Sequence, residues 1–140
     1  MRIRVVIAII VGLVLIPHFA VAGDVVFIGH EQNPVVVLSR QEVRYIFLGQ
    51  MREWSDGSKI VFAIQKEGAT QERFLDGYIG KSSFQFSNYW KKQVFTGKCS
   101  QPRSFQNDQE MMKFVSETRG AIGYVSSDTN LKNVKTVRVK

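Results

Sequence analysis

The 140-residue chain has one cysteine, two histidines and three prolines, and beyond its first twenty residues it has no long apolar run. A single cysteine, Cys99, excludes an intramolecular disulfide, so folding rests on core burial. Two readings of Cys99 stay open: a thiol that pairs between chains, and an inert, partly buried one. His18 lies in the segment expected below to be a cleaved signal, which leaves His30 alone; a histidine pair for zinc or a two-histidine iron site cannot be built, and no metal or cofactor is expected. His30 and Cys99 fall in separate loops without a nucleophile-elbow or papain-like sequence around either. Neither a P-loop nor a dinucleotide fingerprint is present. Glu67 with Glu72, and Glu110 with Glu117, read as first-turn and surface charges. Catalysis is therefore the reading the residues support least. The shortage of apolar runs also excludes a polytopic membrane protein, and the dispersed prolines and glycines leave no linker, repeat or low-complexity tract. With 44% apolar and 22% charged residues, the composition suits one compact domain.

What is present begins with a leader. Arg2 and Arg4 precede the apolar run Val5 to Ile16, and Ala20-Val21-Ala22 supplies small side chains for signal peptidase. At twelve residues the run falls short of the roughly 20 needed to span a bilayer. The expectation is a cleaved signal over 1–22 and a periplasmic or otherwise exported domain over 23–140. Losing Arg2 and Arg4 leaves seventeen basic against twelve acidic residues, a charge of +5 on 118 residues. An exported basic domain meets anionic solutes or envelope components sooner than nucleic acid, and no nucleic-acid motif accompanies the scattered lysines and arginines.

Patterning predicts alternating strands and helices. Asp24 to Gly29 reads as a buried strand, His30 to Pro34 as a loop, and Ser39 with Glu42 as a capping box opening a helix that Gly49 ends. Lys59 to Gln65 is β-branched and apolar enough for an interior strand. A helix from Thr70 carries Phe74, Leu75, Tyr78 and Ile79 to Gly80. Another, about Phe84 to Phe95, presents Phe86, Tyr89, Trp90 and Val94 on one side, and Lys98 to Asn107 follows as a loop. Asn107 and Glu110 repeat the capping spacing before Met111, Phe114 and Val115. Ala121 to Val125 and Val134 to Val139 read as strands. The alternation implies an α/β domain, a mixed sheet flanked by helices. Core packing accounts for most aromatics, with Trp54 and Phe105, both in loops, expected as the exceptions.

One segment carries a ligand hypothesis. A strand passing through the small turn Lys66 to Thr70 into a helix directs backbone N–H groups outward, and such helix starts bind anions. Gly68 and Ala69 permit close approach, Thr70 offers a hydroxyl, and Lys66 or Arg73 supplies charge. The alternative is an ordinary helix start with Thr70 capping its own helix.

Together, Phe47-Leu48-Gly49, Trp54 and Asp56-Gly57 (IFLGQMREWSDG), then a strand, a glycine-containing turn and a helix with Phe74, then Gly120 to Val125 (GAIGYV), resemble the periplasmic phosphate-binding proteins of ABC transporters over about residues 38 to 126. The resemblance implies a shortened, single-lobe member of a family whose two lobes close over phosphate held by backbone N–H groups, hydroxyls, an arginine and an acidic group. Where the family has an arginine and then Ser-Gly-Thr, this chain has Gln65 or Ile64 and then Gly68-Ala69-Thr70, so only the threonine matches. Implied partners are phosphate or a related oxyanion and an ABC permease, with a homodimer restoring a cleft that one lobe leaves open. A second function stays open: an envelope protein-interaction module that kept the scaffold and lost the phosphate site.

Overall fold

Six strands form one sheet in the order β2-β6-β1-β5-β3-β4, in a computed structural model that describes residues 24–140. The signal-sequence expectation for 1–22 lies outside the described residues. The elements are β1 (Val25–Gly29), β2 (Val37–Leu38), α1 (Arg40–Phe47), β3 (Val61–Gln65), α2 (Ala69–Phe74) running into a π-helical segment (Leu75–Ile79), α3 (Ser83–Phe95), β4 (Arg103–Phe105), α4 (Asp108–Glu117), β5 (Ala121–Ser126) and β6 (Lys135–Val139). β3 runs parallel to both β4 and β5, whereas β1 lies antiparallel between β5 and β6, giving the mixed α/β sheet that alternation implies.

Side-chain alternation on the strands splits the core into two. Phe27, Ile64, Ile122 and Tyr124 meet α1, α2, the π-helical segment and α3 on one face. Ile28, Ala63, Ala121 and Val125 meet Met111 and Val115 of α4 on the other. The first face holds an aromatic cluster. Phe47 packs edge-on against Phe74 at 4.8 Å between ring centroids and against Tyr124 at 5.7 Å, and Phe74 stacks on Tyr124 at 3.9 Å.

The helix starts follow their caps. Ser39 and Glu42 form a complete capping box, as do Ser82 and Gln85, a pair outside the expected start at Phe84. At α4, Asn107 accepts from the Glu110 N–H at 2.9 Å, and the Glu110 carboxylate reaches back to the Gln106 N–H.

Several expectations need correction. The loop Lys98 to Asn107 contains β4, whose pairing with β3 extends the sheet by one edge strand. Val37–Leu38 adds a short strand at the other edge. Trp54 is buried rather than exposed, because its Nε1 donates to the Gly120 carbonyl at 3.1 Å and its ring joins the core. Phe105 is half-buried and packs against Phe114 at 5.0 Å. Val94, expected on the buried side of its helix, is exposed together with Phe84 and Phe95.

Gly120 is where these pieces lock. Its N–H donates to the side chain of Asn33, its carbonyl accepts from Trp54 and from the Val61 N–H, and its φ is +84°. A Cβ there would lie 2.3 Å from the Lys59 carbonyl oxygen, a backbone atom that cannot step aside cheaply. Gly120→Ala is expected to lower the unfolding free energy by about 2–4 kcal/mol. Urea titration of the variant beside Phe47→Ala, whose buried ring should cost about 3–5 kcal/mol, provides the check; a Gly120→Ala protein with wild-type stability would contradict this account of the turn.

Candidate functional site

Because β3, β4 and β5 are parallel, their C-terminal ends, at Gln65, Phe105 and Ser126, share one edge of the sheet. Two helices start there, α2 after β3 and α4 after β4. In open α/β sheets this edge is where ligands bind.

The two starts differ electrostatically. α4 carries its own anion: the Asp108 carboxylate accepts from Gln65 Nε2 at 2.6 Å, from the Ser126 N–H at 3.1 Å and from Thr129 Oγ1 at 2.5 Å. That charge already complements the helix dipole. At α2 the cap is Gly68, with φ 103° and ψ 176°, and no side chain caps the turn. Thr70 therefore does not cap its own helix; the helix begins at Ala69, one residue earlier than expected. Lys66, by its N–H to the Phe105 carbonyl at 2.9 Å, continues the β3–β4 ladder up to the turn.

Four of the five expected site residues, Lys66, Gly68, Ala69 and Thr70, sit together on this turn; the first three are exposed and Thr70 is half-buried. Arg73 lies one turn further along. Its charge acts on Asp128 beyond the end of β5, where the Ser126 hydroxyl at 2.7 Å is the main cause, and Arg73 a smaller one, holding the Asp128 carboxyl below its ordinary range. Beside the turn, a cavity of about 270 Å³ is lined by Lys66, Lys91, Gln65, Gln71, Ser87 and Ser104 among others. Two cations, amides and hydroxyls with no carboxylate make it a polar pocket suited to an anion.

Under the turn runs a buried network outside the expectations. Tyr124 Oη accepts from the Gln65 N–H at 2.9 Å and donates to Gln71 Oε1, while Gln65 Nε2 bonds Asp108 and the Tyr124 carbonyl. Gln65 and Gln71 are each 4% exposed, so their amides need partners inside the protein. The only sequence signal was position: Gln65 ends a strand that is otherwise apolar, and Tyr124 sits in the middle of one. Burial pushes the Tyr124 phenol well above its ordinary value, keeping it a donor. Among the described residues no group of three or more histidine, cysteine, aspartate or glutamate side chains is placed to hold a metal, and no helix is long and apolar enough to cross a membrane.

The chain belongs to the PBP superfamily domain family, whose model matches residues 13–139. Its fold is similar to a Clostridium perfringens structure described as a phosphate ABC transporter substrate-binding protein and solved with phosphate bound, at 19% identity and TM-score 0.67, covering 84% of this chain and 45% of that one. It is also similar to PstS from Borrelia burgdorferi, at 15% identity and TM-score 0.65, covering 84% and 47%. A phosphate-binding protein from Stenotrophomonas maltophilia matches at 19% and 0.62, covering 85% and 39%. No curated protein matches. The chain thus spans less than half the length of these structures, as a single lobe.

Tyr124→Phe leaves the Gln65 N–H and the Gln71 carbonyl oxygen without their shared partner, and is expected to cost about 1–3 kcal/mol. Since the folded phenol titrates above the unfolded value of 10.0, its contribution is complete below that pH and is lost progressively as pH rises from there towards the folded value, with Tyr78 contributing in the same direction. Denaturation midpoints from pH 8 to 11 should therefore fall less steeply in Tyr124→Phe than in wild type.

Proposed function

We propose that the protein is an exported, non-enzymatic solute-binding protein that holds phosphate or a related oxyanion at the turn Lys66 to Thr70, with charge from Lys66 and Arg73. The observation that carries this reading is the uncapped Gly68 turn at the shared C-terminal edge of three parallel strands, beside a pocket with two lysines and no carboxylate. The first-turn N–H groups, which have no acceptor within the helix, and the positive end of the helix favour an anion there. Membership of the PBP superfamily and the likeness to phosphate-binding structures agree with it. Delivery of the anion to an ABC permease completes the proposal, with a second copy of the chain as the means of covering a site that one lobe leaves open to solvent.

A specific observation favours the second reading, an envelope interaction module. Gln65, one of the two residues at the position of the family's arginine, turns its amide inward to Asp108, and Ile64, the other, is buried and apolar. Neither offers an anion a guanidinium.

Calorimetric titration of residues 23–140 with phosphate, beside sulfate, separates the two. Saturable, phosphate-selective heat is expected, weakened at least about tenfold, or 1.4 kcal/mol, in Lys66→Ala/Thr70→Val. No heat at millimolar phosphate would leave the interaction module as the surviving function. Export is checked apart from binding: the secreted protein should begin at Gly23 on N-terminal sequencing, and retention of Met1 would exclude the cleaved leader.

A further inference from the structure

A second cavity lies at the opposite end of β3 and β4 from the turn. About 570 Å³ in volume, it is walled by the segment after α1, the start of β3 and the loop from Gly97 to Arg103. Its volume is in the range of small-molecule sites, about 300–1,000 Å³. Every charged side chain lining it is a cation: Arg52, Lys59, Lys98 and Arg103.

The partners of its two guanidinium groups are uncharged. Arg52 donates to the carbonyls of Gly49 at 3.1 Å and Lys98 at 2.9 Å, and to the Cys99 sulfur at 3.2 Å. Those contacts fix the guanidinium without neutralising it. Arg103 lies over the Phe114 ring, 5.5 Å from its centroid. All four cations are solvent-exposed, and together they make the opening electropositive, which draws anions towards it. Trp90 walls both this cavity and the smaller one beside Lys66, and its buried Nε1 has no partner among the described residues.

We propose that this cavity is a second anion site, for small molecules bearing two or more linked phosphoryl groups. Planar guanidinium forks match phosphoryl oxygens in pairs, and the two lysines add point charge. One orthophosphate would engage few of four cations spread around such a volume, whereas linked phosphoryl groups present several charges at once. Ile60, Phe62 and Pro102 line the same cavity and offer apolar surface to an organic body, so the source is either an inorganic polyphosphate or a nucleotide-like ester.

Cys99, the single thiol, also lines the cavity and reports on it. Pyrophosphate, ADP and adenosine are titrated at constant ionic strength, with binding read by calorimetry and by the rate of Cys99 alkylation. Pyrophosphate and ADP are expected to bind and slow alkylation at least about fivefold, and adenosine to do neither. ADP binding more tightly than pyrophosphate identifies an organic phosphate; equal affinity identifies the inorganic source. Lys59→Gln/Lys98→Gln, which spares the structural contacts of Arg52, should weaken both ligands at least about tenfold. Lys66→Ala/Thr70→Val should leave them unchanged, and this separates the cavity from the turn whether or not orthophosphate binds there. Absence of binding by either phosphorylated probe, adenosine binding as tightly as ADP, or full affinity in Lys59→Gln/Lys98→Gln overturns the proposal.

Discussion

The buried phenol of Tyr124 is the contact on which the edge of this sheet depends. It sits in the middle of β5, stacks on Phe74, and joins the end of β3 to α2 through one accepted and one donated hydrogen bond. A tyrosine can do both at once where phenylalanine can do neither. The consequence is positional: the strand end at Gln65, the following turn and the first helical residues are held relative to β5. The geometry of this turn is set by the elements on either side of it, so it depends on that support.

The same edge shows how one protein treats two helix starts differently. α4 is closed by Asn107, Glu110 and Asp108, and Asp108 also ties Ser126, Thr129 and Gln65 into one carboxylate. α2 begins at a glycine with no side-chain cap. Had both starts been closed, nothing at this edge would attract an anion beyond lysine charge. With one closed by an internal carboxylate, the edge combines a structural anion with an open turn a strand away. The far ends of β3 and β4 carry a different pattern, four cations and no carboxylate among the residues lining the cavity there.

Much of the fold could be read from the sequence because the signals were local. The Ser39 capping box, the apolar run ending at Gln65, the apolar pattern around Met111 and Val115, and the strand after Gly120 each depend on residues a few positions apart. The misses share a physical cause. β4 is three residues long and exists because β3 offers it an unpaired edge, a fact no window around Arg103 contains. Trp54 looked like a loop aromatic, and its loop is fastened to the core by a bond to Gly120, 66 residues away.

For the site the division is similar. The residues of the turn, their small size and the nearby cations were determined by the sequence, since backbone exposure after a strand and before a helix is a short-range property. So was the single thiol. Tertiary structure alone decided that Gly68 rather than Thr70 occupies the cap of the helix, that Gln65 turns inward to Asp108, and that Arg52, Lys59, Lys98 and Arg103 line one cavity. Those outcomes depend on strand order and on which ends of parallel strands coincide. Such relations arise only when distant segments pack, because burial and hydrogen-bond satisfaction are settled across the whole sheet rather than along the chain.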